Sequence, residues 1–221
     1  MYIDFISTLH KSTKRDYLKR VNDKQFPKYK AAELAKKWGF HYWDGSRKIN
    51  YGGYKYIPHR WDKVIKKLIK HYKLKEDCKI LDVGCGKGFM LYDFKKQIPK
   101  LNVYGIDVSK YAIDNSLPKI KKYLQVSNCK SLPFKDNYFD LVISINTIHN
   151  LNKIDCAKSL KEISRVSKKK SFITVDAYKN KIEKQRMFKW NLTAKTIMSD
   201  KDWISFFEKN EYTGDYYWFI P

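Results

Sequence analysis

The chain has 221 residues, 46 Lys+Arg against 23 Asp+Glu for a net charge of +23, with 43% hydrophobic and 16% aromatic residues. That apolar content supports a buried core and excludes a wholly disordered chain, and no apolar run approaches the roughly 18–20 residues of a membrane span, so no membrane insertion is expected. Cys78, Cys85, Cys129 and Cys156 form no CxxC pair, and Met1 to His10 lack a charged stretch ahead of a long apolar core, which fits a reduced cytoplasmic protein without structural zinc or a secretory signal.

Residues 1–50 are charged and aromatic, with a helix expected over Phe26–Trp38 and stopped at Gly39. A loop rich in glycine and tyrosine follows, Tyr51-Gly52-Gly53-Tyr54-Lys55-Tyr56-Ile57-Pro58-His59-Arg60. Trp61, Val64, Ile65, Leu68, Ile69 and Tyr72 then recur at helical spacing, one apolar stripe suited to packing on a sheet.

From Lys79 the pattern alternates between strands and helices. Strands are expected at Lys79–Val83, Asn102–Ile106, Tyr123–Val126, Phe139–Ile145, Ser171–Val175 and Tyr216–Ile220, the last antiparallel. Helices are expected at Phe89–Gln97, Lys110–Asn115 behind a Ser109 cap, Lys153–Val166, Lys181–Trp190 and Lys201–Lys209. This order implies an α/β fold, a doubly wound, Rossmann-like sheet of about seven strands, mostly parallel, with a helical N-terminal extension. Residues 1–60 would form that extension and a substrate lid, and residues 61–221 the main domain.

Gly84, Gly86 and Gly88 stand where the first of these strands turns into a helix, a bend that lets backbone approach a ligand closely. Asp107 ends the next strand, where a carboxylate can accept from both hydroxyls of a ribose. The pair points to a nucleoside-containing cofactor. Gly-x-Gly-x-Gly departs from the dinucleotide pattern Gly-x-Gly-x-x-Gly, and no Gly-Lys-Ser/Thr phosphate loop occurs.

Ile80-Leu81-Asp82-Val83-Gly84-Cys85-Gly86-Lys87-Gly88 resembles the first motif of class I S-adenosylmethionine-dependent methyltransferases. Val103 to Ser109, Ser131 to Phe134, Phe139 to Val142 and Leu160 to Val166 continue the resemblance in order and spacing. It implies S-adenosylmethionine as cofactor, with Gly84 and Gly86 under its methionine part and Asp82 orienting the amino group. It likewise implies Asp107 on the ribose, Val108 on the adenine, Asn128 and Cys129 near the adenine amine, and Asn146 where cofactor and substrate meet. The N-terminal extension is similar to those of small bacterial methyltransferases of surface-polysaccharide pathways. That likeness implies O-methylation of a sugar or phosphorylated precursor.

An acceptor hydroxyl or amine must lose a proton, and a neutral imidazole suits that task. His149 beyond the fourth strand is one candidate, as a base or as a histidine that shapes the pocket. His59 in the tyrosine loop and Asp176 at the end of the fifth strand are two others. Tyr51 and Tyr54 could belong to a lid or to a packed aromatic loop, and Arg60 could pair with a substrate phosphate or carboxylate or sit in a surface ion pair. No metal spacing links the histidines.

Of the basic excess, residues 1–77 carry 20 basic against 8 acidic groups, and residues 78–180 carry 19 against 9. It is nearly all lysine and spread out, which suits a solvated surface or a small anionic substrate better than a nucleic-acid face. An RNA or protein methyltransferase, and a non-catalytic binder of the cofactor, stay open as alternatives, as does the oligomeric state.

Overall fold

A computed structural model of the chain describes residues 1–11, 23–24, 26–51 and 54–220; Gly52 and Gly53 of the expected lid fall outside these. The strands are β1 (Lys79–Val83), β2 (Asn102–Asp107), β3 (Leu124–Val126), β4 (Leu141–Ile145), β5 (Ser171–Tyr178), β6 (Met198–Ser199) and β7 (Asp215–Phe219). The helices are α1 (Ser7–Lys11), α2 (Lys28–Ala35), α3 (Phe40–Trp43), α4 (Asp62–Tyr72), α5 (Phe89–Gln97), α6 (Lys110–Asp114), α7 (Pro118–Lys121), α8 (Lys153–Val166), α9 (Lys181–Trp190) and α10 (Asp200–Lys209).

The strands form one seven-stranded sheet in the order β3-β2-β1-β4-β5-β6, with β7 also on β5. The order reverses direction at β1 and β4, which opens a crevice at the C-terminal ends of these strands. The Rossmann-like α/β reading therefore holds, with one correction. β7 runs parallel to β5, Phe172 opposite Asp215 through Asp176 opposite Phe219, where an antiparallel strand was expected. After β5 the chain returns through α9, pairs briefly as β6 with Ala177 and Tyr178, and returns again through α10. Each helical return brings the next strand in with the direction of β5.

Alternation along the strands divides the core. Ile80, Leu141 and Ile143 point into a cluster with Val64, Ile65, Leu68 and Phe94 of α4 and α5. Leu81, Val83 and Val142 point the other way, onto Leu160 and Ile163 of α8 and Trp203 and Phe207 of α10. Of the six stripe residues, Val64, Ile65, Leu68 and Tyr72 are buried, and Trp61 and Ile69 pack partly buried against the same cluster. Met1 to Ile3 cover the outer edge of β7, with Ile3 N–H donating to the Tyr216 carbonyl at 2.9 Å and Tyr216 N–H to that of Met1 at 2.9 Å. A smaller cluster, Ala31, Ala35, Tyr42, Ile49 and Leu192, ties residues 26–51 to the loop after α9. Among the described residues no helix is long and apolar enough to cross a membrane.

Candidate active site

Parallel register sets Asp82 beside Gly105 and Val83 beside Ile106, so the bend after β1 lies against the end of β2. The N–H groups of Gly84 and Cys85 both donate to the Ile106 carbonyl, at 2.8 and 2.9 Å. Gly84 and Gly86 have φ of +84° and +55°, a region that side-chain-bearing residues rarely enter. Neighbours also reject a side chain: a Cβ on Gly84 would stand 2.1 Å from Thr147 Oγ1, and one on Gly86 2.7 Å from the Trp43 ring.

Asp107 braces this bend. Its Oδ2 accepts from Gly86 N–H at 2.8 Å and its Oδ1 from Ser109 N–H at 2.8 Å. Burial pushes its carboxyl up, against the pull of the N–H groups of Ser109, Gly86 and Val108. Ser109 caps α6 as expected, its hydroxyl accepting from Ala112 N–H at 3.0 Å.

The crevice is a cavity of about 570 Å³. Asp82, Gly84, Gly86, Asp107, Val108, Asn128, Cys129, Asn146, His149, Asp176, Tyr51, Tyr54 and Arg60 all line it, so nearly every residue singled out in the sequence converges on one space. His59 does not. Its side chain is 76% exposed and pairs with Asp62 of α4, Nδ1 to Oδ2 at 2.9 Å.

The cavity's chemistry fits an adenosyl amino acid. Asp82 is 4% exposed and its carboxyl is pushed up to about 8 by burial and by the nearby Asp107. It lines the cavity with no cation within ion-pair distance among the described residues, a setting completed by an ammonium group. Val108 is 60% exposed at the end of β2, an apolar face left for a flat ring. The Asn128 side-chain oxygen accepts from Lys130 N–H at 2.9 Å, so its amide nitrogen is the end left to a ligand. Asn146 has φ +51° and is held by Thr174, whose hydroxyl donates to its Oδ1 at 2.7 Å and accepts from its N–H at 2.9 Å.

At the β4–β5 end, His149 and Asp176 are each 3% exposed. Asp176 N–H donates to His149 Nδ1 at 3.1 Å, and Nε2 lies 3.5 Å from Asp176 Oδ2. The Nδ1 lone pair is therefore engaged, the proton sits on Nε2, and burial pushes the ring down to about 3, so it is neutral. Burial raises the Asp176 carboxyl to about 7, opposed by a 2.5 Å hydrogen bond from the Asn191 amide. Tyr51 braces the same loop, its hydroxyl accepting from the N–H groups of Leu192 at 2.5 Å and Thr193 at 3.1 Å.

The N-terminal extension supplies walls that sequence reasoning left unassigned. Trp38, Tyr42 and Trp43 line the cavity with Tyr54, and Trp43 meets Tyr54 edge-on at 4.7 Å. Asp44 takes the 7% exposed Lys87 of the glycine bend with both oxygens, at 2.7 and 2.8 Å. The one sequence signal for this was the density of rings between Trp38 and Tyr54; aromatic content alone does not say which surface the rings cover.

Comparison with known proteins agrees with this geometry. Residues 81–175 match the family described as "Methyltransferase domain". The chain is 35% identical over 122 residues to an uncharacterized protein of Methanocaldococcus jannaschii, covering 55% of this chain and 50% of that one. It is 31% identical over 108 residues to the ubiquinone/menaquinone biosynthesis C-methyltransferase UbiE of Geotalea uraniireducens, covering 45% of each. The chain thus spans about half the length of these relatives. The crystal structure of the YcgJ protein from Bacillus subtilis shares the fold, with a TM-score of 0.54 at 19% identity over 66% of both chains. The glycine bend, Asp107 and β4 thus lie within the stretch that matches a methyltransferase-domain family.

Proposed function

We propose that this protein transfers a methyl group from S-adenosylmethionine to a small-molecule acceptor bound in the same cavity. The observation that carries the reading is the Gly84–Gly86 bend locked to Asp107, with the Asp82 carboxyl beside it, which has no ion-pair partner among the described residues. Asp82 would take the cofactor's ammonium, Asp107 the ribose hydroxyls, and Val108, Asn128 and Cys129 the adenine. When bound, the cofactor supplies a methyl made electrophilic by its sulfonium. The chain's own tasks are then to hold the acceptor in line, exclude water and take a proton.

The size and walls of the cavity support a small acceptor: Trp38, Tyr42, Trp43, Tyr51 and Tyr54 of the N-terminal extension line it, and the segment that carries them would act as the lid. Lys36, Arg60 and Lys195 line it as well, cations suited to a phosphate or carboxylate. That supports the narrower form of the reading, a phosphorylated or sugar precursor of a surface polysaccharide.

The test is calorimetry with S-adenosylmethionine and its demethylated product, S-adenosylhomocysteine. Both should bind the wild-type protein, and Asp107→Ala should weaken each by tenfold or more. A folded wild-type protein that ignores both compounds would overturn the reading.

A further inference from the structure

We propose that Asp176 is the docking point for a protonated amine on the methyl acceptor, and that it receives that amine's proton. The inference rests on the methyltransferase reading above and assigns its acceptor atom as nitrogen, in place of the oxygen expected from the sequence.

Asp176 lines the cavity from within the wall. Its carboxyl has a hydrogen-bond donor in Asn191 and a neighbour in His149, whose engaged Nδ1 and burial keep it uncharged. No lysine or arginine of the described residues lies within 4.0 Å of it. A buried carboxylate with no cation is costly, and a ligand bringing a positive charge offsets that cost. Three rings line the same cavity nearby: Tyr51 and Trp190 with centroids 4.8 Å apart, and Trp190 and Phe219 5.1 Å apart. Rings beside a carboxylate make a setting that attracts ammonium groups through both charge and π faces.

The position also suits the reaction. Thr174, two residues before Asp176 on β5, holds Asn146, and the next residue, Thr147, packs on Gly84. The Asp176 carboxyl therefore belongs to the wall that continues from the cofactor bend. In the step, an ammonium N–H bond breaks and its proton passes to the Asp176 carboxylate. The freed nitrogen lone pair forms the N–CH3 bond as the S–CH3 bond breaks, and that electron pair stays on the sulfur. His149 is then a positioning residue, holding Asp176 by two contacts. Lys36 and Lys195 remain to receive an anionic group elsewhere on the same molecule.

The experiment compares 2-phenylethylamine with its neutral counterpart 2-phenylethanol. Each is titrated calorimetrically into wild-type protein and Asp176→Asn, both saturated with S-adenosylhomocysteine. The wild type should bind the amine at least tenfold more tightly than the alcohol, and Asp176→Asn should lose that preference while binding S-adenosylhomocysteine as the wild type does. Equal affinities in the wild type, no binding of the amine, or a preference kept by Asp176→Asn would each overturn the proposal. A wild-type protein that fails to bind S-adenosylhomocysteine would instead overturn the methyltransferase reading.

Discussion

Trp43 donates its indole N–H to the Ser109 hydroxyl at 2.8 Å, joining the N-terminal extension to the residue that caps the helix after Asp107. The same ring lies over Gly86. The extension thus covers the bend on which the cofactor would rest, and cofactor affinity should depend on it. Trp43→Phe keeps a ring and removes the donor; it should weaken S-adenosylhomocysteine binding a few-fold. Trp43→Ala removes both and should weaken it more than tenfold, with the calorimetric stoichiometry unchanged. Equal affinity in all three proteins would separate the extension from the site.

Lys87 is buried by the ion pair with Asp44. Removing one partner strands the other, and breaking a buried pair costs about 3–5 kcal/mol; the partial exposure of Asp44 brings the expectation for Asp44→Ala down to about 2 kcal/mol. Asp44→Ala/Lys87→Met should recover part of the loss, since no charge is then left unpaired. Urea melts of the two single variants and the double variant give the coupling, and additive losses would show that the pair contributes nothing.

Tyr51 accepts two backbone N–H groups from the loop that also carries Asn191. Tyr51→Phe leaves both donors without that oxygen, a loss of about 1–3 kcal/mol. Because Asn191 holds Asp176, the substitution should also reduce binding of an acceptor more than binding of the cofactor. Parallel melts and titrations check this, and a stability loss with acceptor binding intact would confine Tyr51 to a structural role.

Stability should fall as pH rises from 6.5 to 8. The folded carboxyls of Asp82 and Asp176 sit at about 8 and about 7, above their ordinary value, so their contribution is whole below about pH 4 and is lost as pH climbs through those values. His149, pushed down to about 3, contributes fully above its ordinary 6.5 and loses this as pH falls. The two trends oppose each other between about pH 4 and 6.5, and only the carboxyls act above that. Asp176→Asn should flatten part of the decline. S-adenosylhomocysteine, whose ammonium would pair with Asp82, should raise the melting temperature more at pH 8 than at pH 6. A flat melting profile from pH 6.5 to 8 would contradict the burial argument.

Much of the fold was legible because its elements are locally encoded. The apolar run Lys79–Val83, the amphipathic pattern of Lys153–Val166 and the helix Lys181–Trp190 have the bounds their periodicity implied. The direction of β7 was not legible, because it depends on how many times the chain crosses back, and the two-residue β6 is too short to leave a periodic trace. The N-terminal helix is shorter than expected, Lys28–Ala35 in place of Phe26–Trp38, since the following residues leave α2 to make the turn into α3.

The site divides the same way. A glycine bend between strand and helix, followed by an acid at the end of the next strand, is a signal within one βαβ unit, and the sequence by itself marked the residues of the proposed cofactor end. The residues of the proposed acceptor end were brought together only by tertiary structure. Tyr51, His149, Asp176 and Asn191 come from four separate segments, and their meeting depends on a lid, a turn after β4, the end of β5 and the loop after α9 packing together. Their burial, which sets their charge states, is a property of that packing and of no single segment.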